Sequence, residues 1–332
     1  MLGDWLNLTL DGDVTGEREG RLPGGRYVLH GPGMLELQPA APRPGARTMV
    51  ISAGIHGDET APIELVGELL ARIESGQLRA GAPVLVLLGN LPAIRAGTRY
   101  CATNLNRLFR RDAVLPDNDE GARAATLMAT VDDFFARHPG PRLHYDLHTA
   151  IRDSRYPRFA VEPFDEAAAT ADEQWRWLAA AGIQAVLHQH RHSWTFSHYS
   201  KHYHAAQAFT LELGKVRPFG TNDLHALRPL LTLLEALVEG REPPGGASPG
   251  TMAFFRVAAE LMRHARAFRL CFADDTPNFT EFAVGTRLAE DAEAGDFIVE
   301  GAPLAVVFPN AEVELGARAA LLVRPTEPPE TG

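Results

Sequence analysis

Cysteine is nearly missing from this chain: Cys101 and Cys271 are the only two among 332 residues, far apart and in no paired motif. That excludes a thiolate-rich zinc site and a disulfide framework, and it suits a reducing compartment. No apolar run reaches the roughly 18 residues that a membrane span needs, so none is expected. Met1-Leu2-Gly3-Asp4-Trp5 has no basic stretch followed by an apolar core, so no signal peptide is expected either. The expectation is a cytoplasmic protein. Basic runs are also absent, and the formal net charge is −10. Nucleic-acid binding by phosphate neutralisation is thereby excluded. An anionic substrate would have to be met by a local cluster of arginines. No internal repeat or low-complexity tract occurs.

Apolar residues are plentiful at 45%, enough for a large core plus a smaller unit. Strand and helix signals alternate through the first 240 residues. Thr48 to Ala53 reads as a buried strand closed by Gly54, and residues 61–73 carry Ile63, Leu65, Val66, Leu69, Leu70 and Ile73 at helical spacing. Further strands are expected at 84–88, 143–147, 159–161, 184–188 and 208–211. Helices are expected at 120–137, about 167–180, and from a Thr221-Asn222-Asp223 cap through Leu237. Such alternation predicts an α/β fold, with helices on both faces of a parallel or mixed sheet. Pro243, Pro244 and Pro249 mark 241–250 as a linker. It divides a catalytic domain at 48–240 from a small, β-rich C-terminal domain at 251–332. Residues 1–47 read as an irregular or hairpin-containing lead-in.

Gly54-Ile55-His56-Gly57-Asp58-Glu59 and Tyr145-Asp146-Leu147-His148-Thr149 carry the chemistry. An imidazole and a carboxylate three positions apart, with a distant second imidazole, form the His₂Glu set of a catalytic zinc, leaving a fourth position open. His56, His148 and Glu212 each follow a predicted strand, and the carboxyl ends of strands form the ligand crevice of open α/β sheets. Glu212 stands inside the apolar run Thr210-Leu211-Glu212-Leu213, where burial raises a carboxyl pKa toward the range useful for proton transfer. Arg99, Arg107 and Arg152 sit in or beside the motif loops, and a guanidinium binds a carboxylate in bidentate fashion. Residues 188–204 hold His188, His190, His192, His198, His202 and His204. They read as a lining of the cleft, a second metal site or a substrate-facing wall. No acidic or cysteine partner in that stretch completes a cage.

Four motifs occur in family order: Gly-x-His-Gly-Asp-Glu at 54–59, Asn104-Leu105-Asn106-Arg107-Leu108-Phe109, Asp146 to Arg152, and Thr210 to Lys215. Together they resemble the succinylglutamate desuccinylase family, in the aspartoacylase branch of the zinc carboxypeptidase-like superfamily. The resemblance runs from about 48 to 240, and more weakly over Thr276 to Thr280. It implies a mixed sheet flanked by helices with a small β C-terminal domain. It also implies one Zn²⁺ per chain held by His56, Glu59 and His148, with Glu212 catalytic. Asn106 and Arg107 would bind substrate, with Arg152 a further candidate, and Arg99 would polarise the scissile carbonyl. The implied reaction is hydrolysis of N-succinyl-L-glutamate to succinate and L-glutamate in arginine catabolism. The alternatives are a deacylase for another N-acyl amino acid such as acetylaspartate, a zinc carboxypeptidase, or a non-catalytic zinc-binding or partner-binding module. The expected partner is a small anionic N-acyl amino acid, with neither nucleic acid nor membrane; a homo-oligomer is left open.

Overall fold

The computed structural model describes residues 2, 4–12, 18–166, 169–243 and 248–328. In chain order the elements begin α1 (Trp5–Asp11), β1 (Glu19–Leu22), β2 (Gly25–Gly31), β3 (Met34–Pro39), β4 (Thr48–Ala53), α2 (Thr60–Glu74), β5 (Val84–Leu88) and α3 (Leu91–Ala96). They continue α4 (Asp119–Arg137), β6 (Arg142–Ala150), β7 (Arg158–Glu162), α5 (Asp172–Ala180), β8 (Ala185–His188), α6 (Phe196–His204), β9 (Gln207–Lys215) and α7 (Arg228–Val238). The C-terminal strands are β10 (Ala253–Met262), β11 (Arg269–Leu270), β12 (Thr280–Phe282), β13 (Arg287–Glu290), β14 (Phe297–Ile298), β15 (Leu304–Val307) and β16 (Arg318–Thr326).

One mixed sheet of 13 described strands organises the molecule, in the order β1-β2-β3-β5-β4-β6-β9-β7-β8-β10-β16-β15-β12. Its centre, β5-β4-β6-β9, is parallel. Side chains alternate across it, as a period of two requires. Met49 and Ile51 of β4 enter a core with Leu65 and Leu69 of α2, Trp175 of α5 and Leu230 of α7. Val50 points the other way, into a core with Leu127, Val131 and Phe134 of α4 and Phe196 of α6. Helices therefore cover both faces, the layering that buried parallel strands need.

Three expectations are refined. The lead-in is more regular than its glycines and prolines suggest. Tyr27 and Leu29, then Leu35 and Leu37, alternate as buried strand residues, and β3 extends the sheet by pairing antiparallel to β5. The helix expected from about 167 begins at Asp172, and residues 167 and 168 lie outside the described set. Just before that helix, the Thr170 hydroxyl donates to Glu162. The linker breaks the chain but not the sheet, because β10 pairs parallel to β8; residues 244–247 lie outside the described set. Among the described residues, no helix is long and apolar enough to cross a membrane.

A buried carboxylate pins the lead-in to the catalytic layers. Glu36 on β3 is fully buried and accepts from Arg137 at 2.8 Å and 3.0 Å, with His30 at 2.6 Å and His138 at 2.7 Å. Burial would raise its pKa, but the bonds from His30, Arg137, His138 and Gln38 outweigh it and hold the carboxyl well below the usual range. A depressed carboxyl pKa stabilises the fold above the ordinary value of 4.5 and loses that contribution as pH falls below it. Glu36→Ala is expected to destabilise the fold at neutral pH by about 1–3 kcal/mol, because Arg137, His30 and His138 lose the buried carboxylate that they share. Denaturant unfolding should show that difference shrinking in acid; an equal loss at pH 7 and pH 3 would contradict the account.

Candidate active site

Three neighbouring parallel strands deliver the site. Ala53 of β4 lies beside Leu147 of β6, and His148 of β6 lies beside Glu212 of β9. His148 and Glu212 stand inside their strands rather than just past them, because β6 and β9 continue to Ala150 and Lys215. His56 follows β4 in a loop that glycine permits twice. Gly54 takes φ 66°, a left-handed turn out of the strand. A side chain at Gly57 would meet the Ala93 backbone of α3 at 2.1 Å. Glu59 then stands at the N-terminus of α2, its carboxylate turned into the site rather than capping the helix.

His56 Nδ1 lies 2.7 Å from Glu59 Oε1, and His148 Nδ1 lies 2.8 Å from Glu59 Oε2. The far nitrogens are committed elsewhere. His56 Nε2 faces Asn104 Oδ1 at 3.1 Å, an oxygen that also accepts the Asn106 N–H. His56 Nε2 must therefore carry the proton, and Nδ1 presents a lone pair to the lone pairs of Glu59. Burial pushes the His56 imidazole down to about 4, against the pull of Glu59, so a second proton does not fill the gap. At His148 both nitrogens face carboxylate oxygens, with Asp146 Oδ2 3.0 Å from Nε2. Burial opposes charge on this ring, but Asp146 and Glu59 outweigh it and hold its pKa well above the ordinary value. All three side chains are buried, with one potential ligand atom from each inside 4.8 Å of the others. Two imidazole nitrogens and a carboxylate converge on one buried point, the His56–Glu59 contact lacking a proton, and form a donor set that fits a divalent zinc.

Behind these groups runs a buried chain that the motifs did not reveal. Asp146 Oδ1 accepts from Ser52 Oγ at 2.6 Å, Ser52 Oγ bonds His144 Nε2 at 2.8 Å, and His144 Nδ1 bonds Ser200 Oγ at 2.7 Å. A carboxylate on the far nitrogen of a ligating histidine fixes ring orientation and raises its basicity. The signal was present in His144-Tyr145-Asp146-Leu147-His148, where polar residues two apart share one face of a strand.

Glu212 has its Oε2 buried with no partner among the described residues. Burial, reinforced by Glu59, pushes its carboxyl up to about 7, while His148 and Arg99 pull the other way. Arg99 Nη1 donates to Glu59 Oε1 at 2.9 Å, so this guanidinium sits on the donor set. Asn106 is buried; its Oδ1 takes the Phe196 N–H at 2.9 Å and its Nδ2 lies 3.5 Å from His148 Nε2. Its amide therefore ties α6 to the site. Arg107 is exposed, yet enough protein surrounds it to push its guanidinium down to about 10, first by desolvation, then by Arg318 and Arg99. Its only described bond is to the Asn106 carbonyl at 2.7 Å. Arg318, at the start of β16, was not anticipated: its charge acts on Arg107 from the C-terminal segment, while its own guanidinium lies 3.5 Å from Glu260. Arg152 stays apart, with a buried Nη1 and no bond to the other site residues among the described ones.

Residues 45–238 match the succinylglutamate desuccinylase/aspartoacylase catalytic domain, and residues 250–326 match the AstE/AspA barrel-sandwich hybrid domain. The chain belongs to the succinylglutamate desuccinylase/aspartoacylase family. It is 42% identical over 328 residues to a Pseudomonas paraeruginosa protein named succinylglutamate desuccinylase, covering 98% of this chain and 99% of that one. The solved succinylglutamate desuccinylase of Vibrio parahaemolyticus superposes with a TM-score of 0.90 at 36% identity, over 97% of this chain and 95% of that one. That of Chromobacterium violaceum gives 0.84 at 38% identity, over 98% of both chains. In this family member the two matched segments meet where β8 and β10 pair.

Proposed function

We propose that this family member hydrolyses the amide of N-succinyl-L-glutamate to succinate and L-glutamate, with one zinc held by His56, Glu59 and His148. The observation that carries the reading is the buried convergence of His56, Glu59 and His148 with Glu212 beside it. When bound, zinc supplies Lewis acidity toward the amide carbonyl and lowers the pKa of the attacking water. Glu212, near neutral pKa, takes a proton from that water and delivers it to the departing glutamate nitrogen. Arg99 supplies positive charge where the carbonyl oxygen becomes an oxyanion. Arg107, with no carboxylate partner among the described residues, takes a carboxylate of the substrate. Asn106 keeps α6 and His148 in register. The two free thiols, Cys101 and Cys271, accord with a cytoplasmic enzyme of arginine catabolism.

Glutamate release from N-succinylglutamate should exceed, in kcat/KM, product release from N-acetylaspartate and from a dipeptide. Arg107→Lys should lower kcat/KM for succinylglutamate about 10–100-fold, the value of one or two charge-assisted bonds, without altering unfolding. Faster cleavage of acetylaspartate or the dipeptide would reject the substrate assignment, and an unchanged Arg107→Lys enzyme would remove that arginine from the site.

A further inference from the structure

Of the six histidines between 188 and 204, three face separate acidic residues. His188 bonds Glu162 at 2.5 Å and His204 bonds Asp132 at 2.7 Å. His190 stands 3.9 Å from Glu260. The other three converge. His198 and His202 are one turn apart on α6, on the same face of the helix, with rings stacked 5.4 Å apart and 13° from parallel. His192, from the loop after β8, lies 5.0 Å and 4.9 Å from their centroids. One nitrogen from each ring falls within 4.8 Å of the other two.

We propose that His192, His198 and His202 form a second metal site, open to solvent, for a divalent late transition cation of the zinc class. Imidazole is a ligand type that such cations favour. His192 Nδ1 and His198 Nε2 face each other at 2.8 Å, so in the free protein one ring must donate to the other. His198 is fully buried, and its Nδ1 has no partner among the described residues. Asp165, from outside the histidine-rich stretch, supplies the acidic partner. Its Oδ2 lies 2.9 Å from His202 Nδ1, the carboxylate–imidazole arrangement that orients metal-binding histidines. The Trp194 ring walls the site, 5.3 Å from His192 and 4.9 Å from His198. The site is built in part by the cap of α6, where Thr195 accepts the His198 N–H at 3.3 Å. His192 and His202 are exposed, so the cation exchanges with solvent.

The test is metal content after equilibration of the purified enzyme with excess Zn²⁺ and gel filtration, in the parent, His192→Ala and His202→Ala. The difference between parent and variant is the readout, so the result does not depend on whether the His56/Glu59/His148 group is loaded. One equivalent fewer in each variant, with thermal unfolding in chelator unchanged, is the expected result. Co²⁺ titrated into metal-free protein should produce a visible d–d band that is weaker in His202→Ala by the share of one site. Equal metal content in parent and both variants, or the same cobalt band in His202→Ala, overturns the site. A variant that unfolds early in chelator makes the triad a packing device and overturns it too.

Discussion

Glu212→Gln should retain the zinc content of the parent and bind N-succinylglutamate, yet turn it over at least about 10²-fold more slowly, the scale of a lost general base. Glutamine keeps the size of the side chain and its place in β9, where it pairs with His148. What disappears is the proton acceptor. The carboxyl stands at about 7 because it is buried and faces Glu59. A dication nearby favours the carboxylate, so the acidic limb of the parent's kcat profile should fall at or below that value. The sign is fixed by the role: activity is lost as pH drops and Glu212 takes up a proton. Glu212→Gln should lose this limb along with the rate. Zinc content and single-turnover hydrolysis on one preparation check both halves. A variant short of zinc would make Glu212 a ligand, and near-parental turnover would make it structural.

The strands and helices that carry the site were legible because each reports a local physical fact. Val84 to Leu88 is an unbroken apolar run because both its faces are covered, and Ile63, Leu65, Val66, Leu69 and Leu70 recur at helical spacing because α2 buries one stripe. The His56/Glu59/His148 grouping was legible for a similar reason: two motifs each end a buried strand, and parallel neighbours bring such ends together. What the sequence hid depends on register between strands. Ser52 meets Asp146 only because β4 and β6 pair at those residues. The charge of Arg318 acts on Arg107 only because β10 adds to β8 and carries β16 with it. Asp165 meets His202 across 37 residues. No periodicity encodes those partners.

His148→Ala should lose the zinc, reducing metal from about one per chain toward none at the catalytic group, and should lose hydrolysis with it. Two effects act together. The variant removes one of the three proposed ligands, and it leaves Asp146 fully buried with Ser52 as its only described side-chain partner. An uncompensated buried carboxylate destabilises by several kcal/mol, so lost activity alone would not distinguish a missing ligand from a damaged fold. Asp146→Asn separates them. It keeps the ligand set, deprives His148 Nε2 of its carboxylate, and should weaken zinc affinity about 10–100-fold without abolishing binding. A graded series, with the parent tightest, Asp146→Asn intermediate and His148→Ala unable to hold metal, is the pattern a His148 ligand requires. His148→Ala retaining its full zinc while folded would place the metal elsewhere. Equal affinity in Asp146→Asn and the parent would show that the buried chain behind His148 supports the strand rather than the metal.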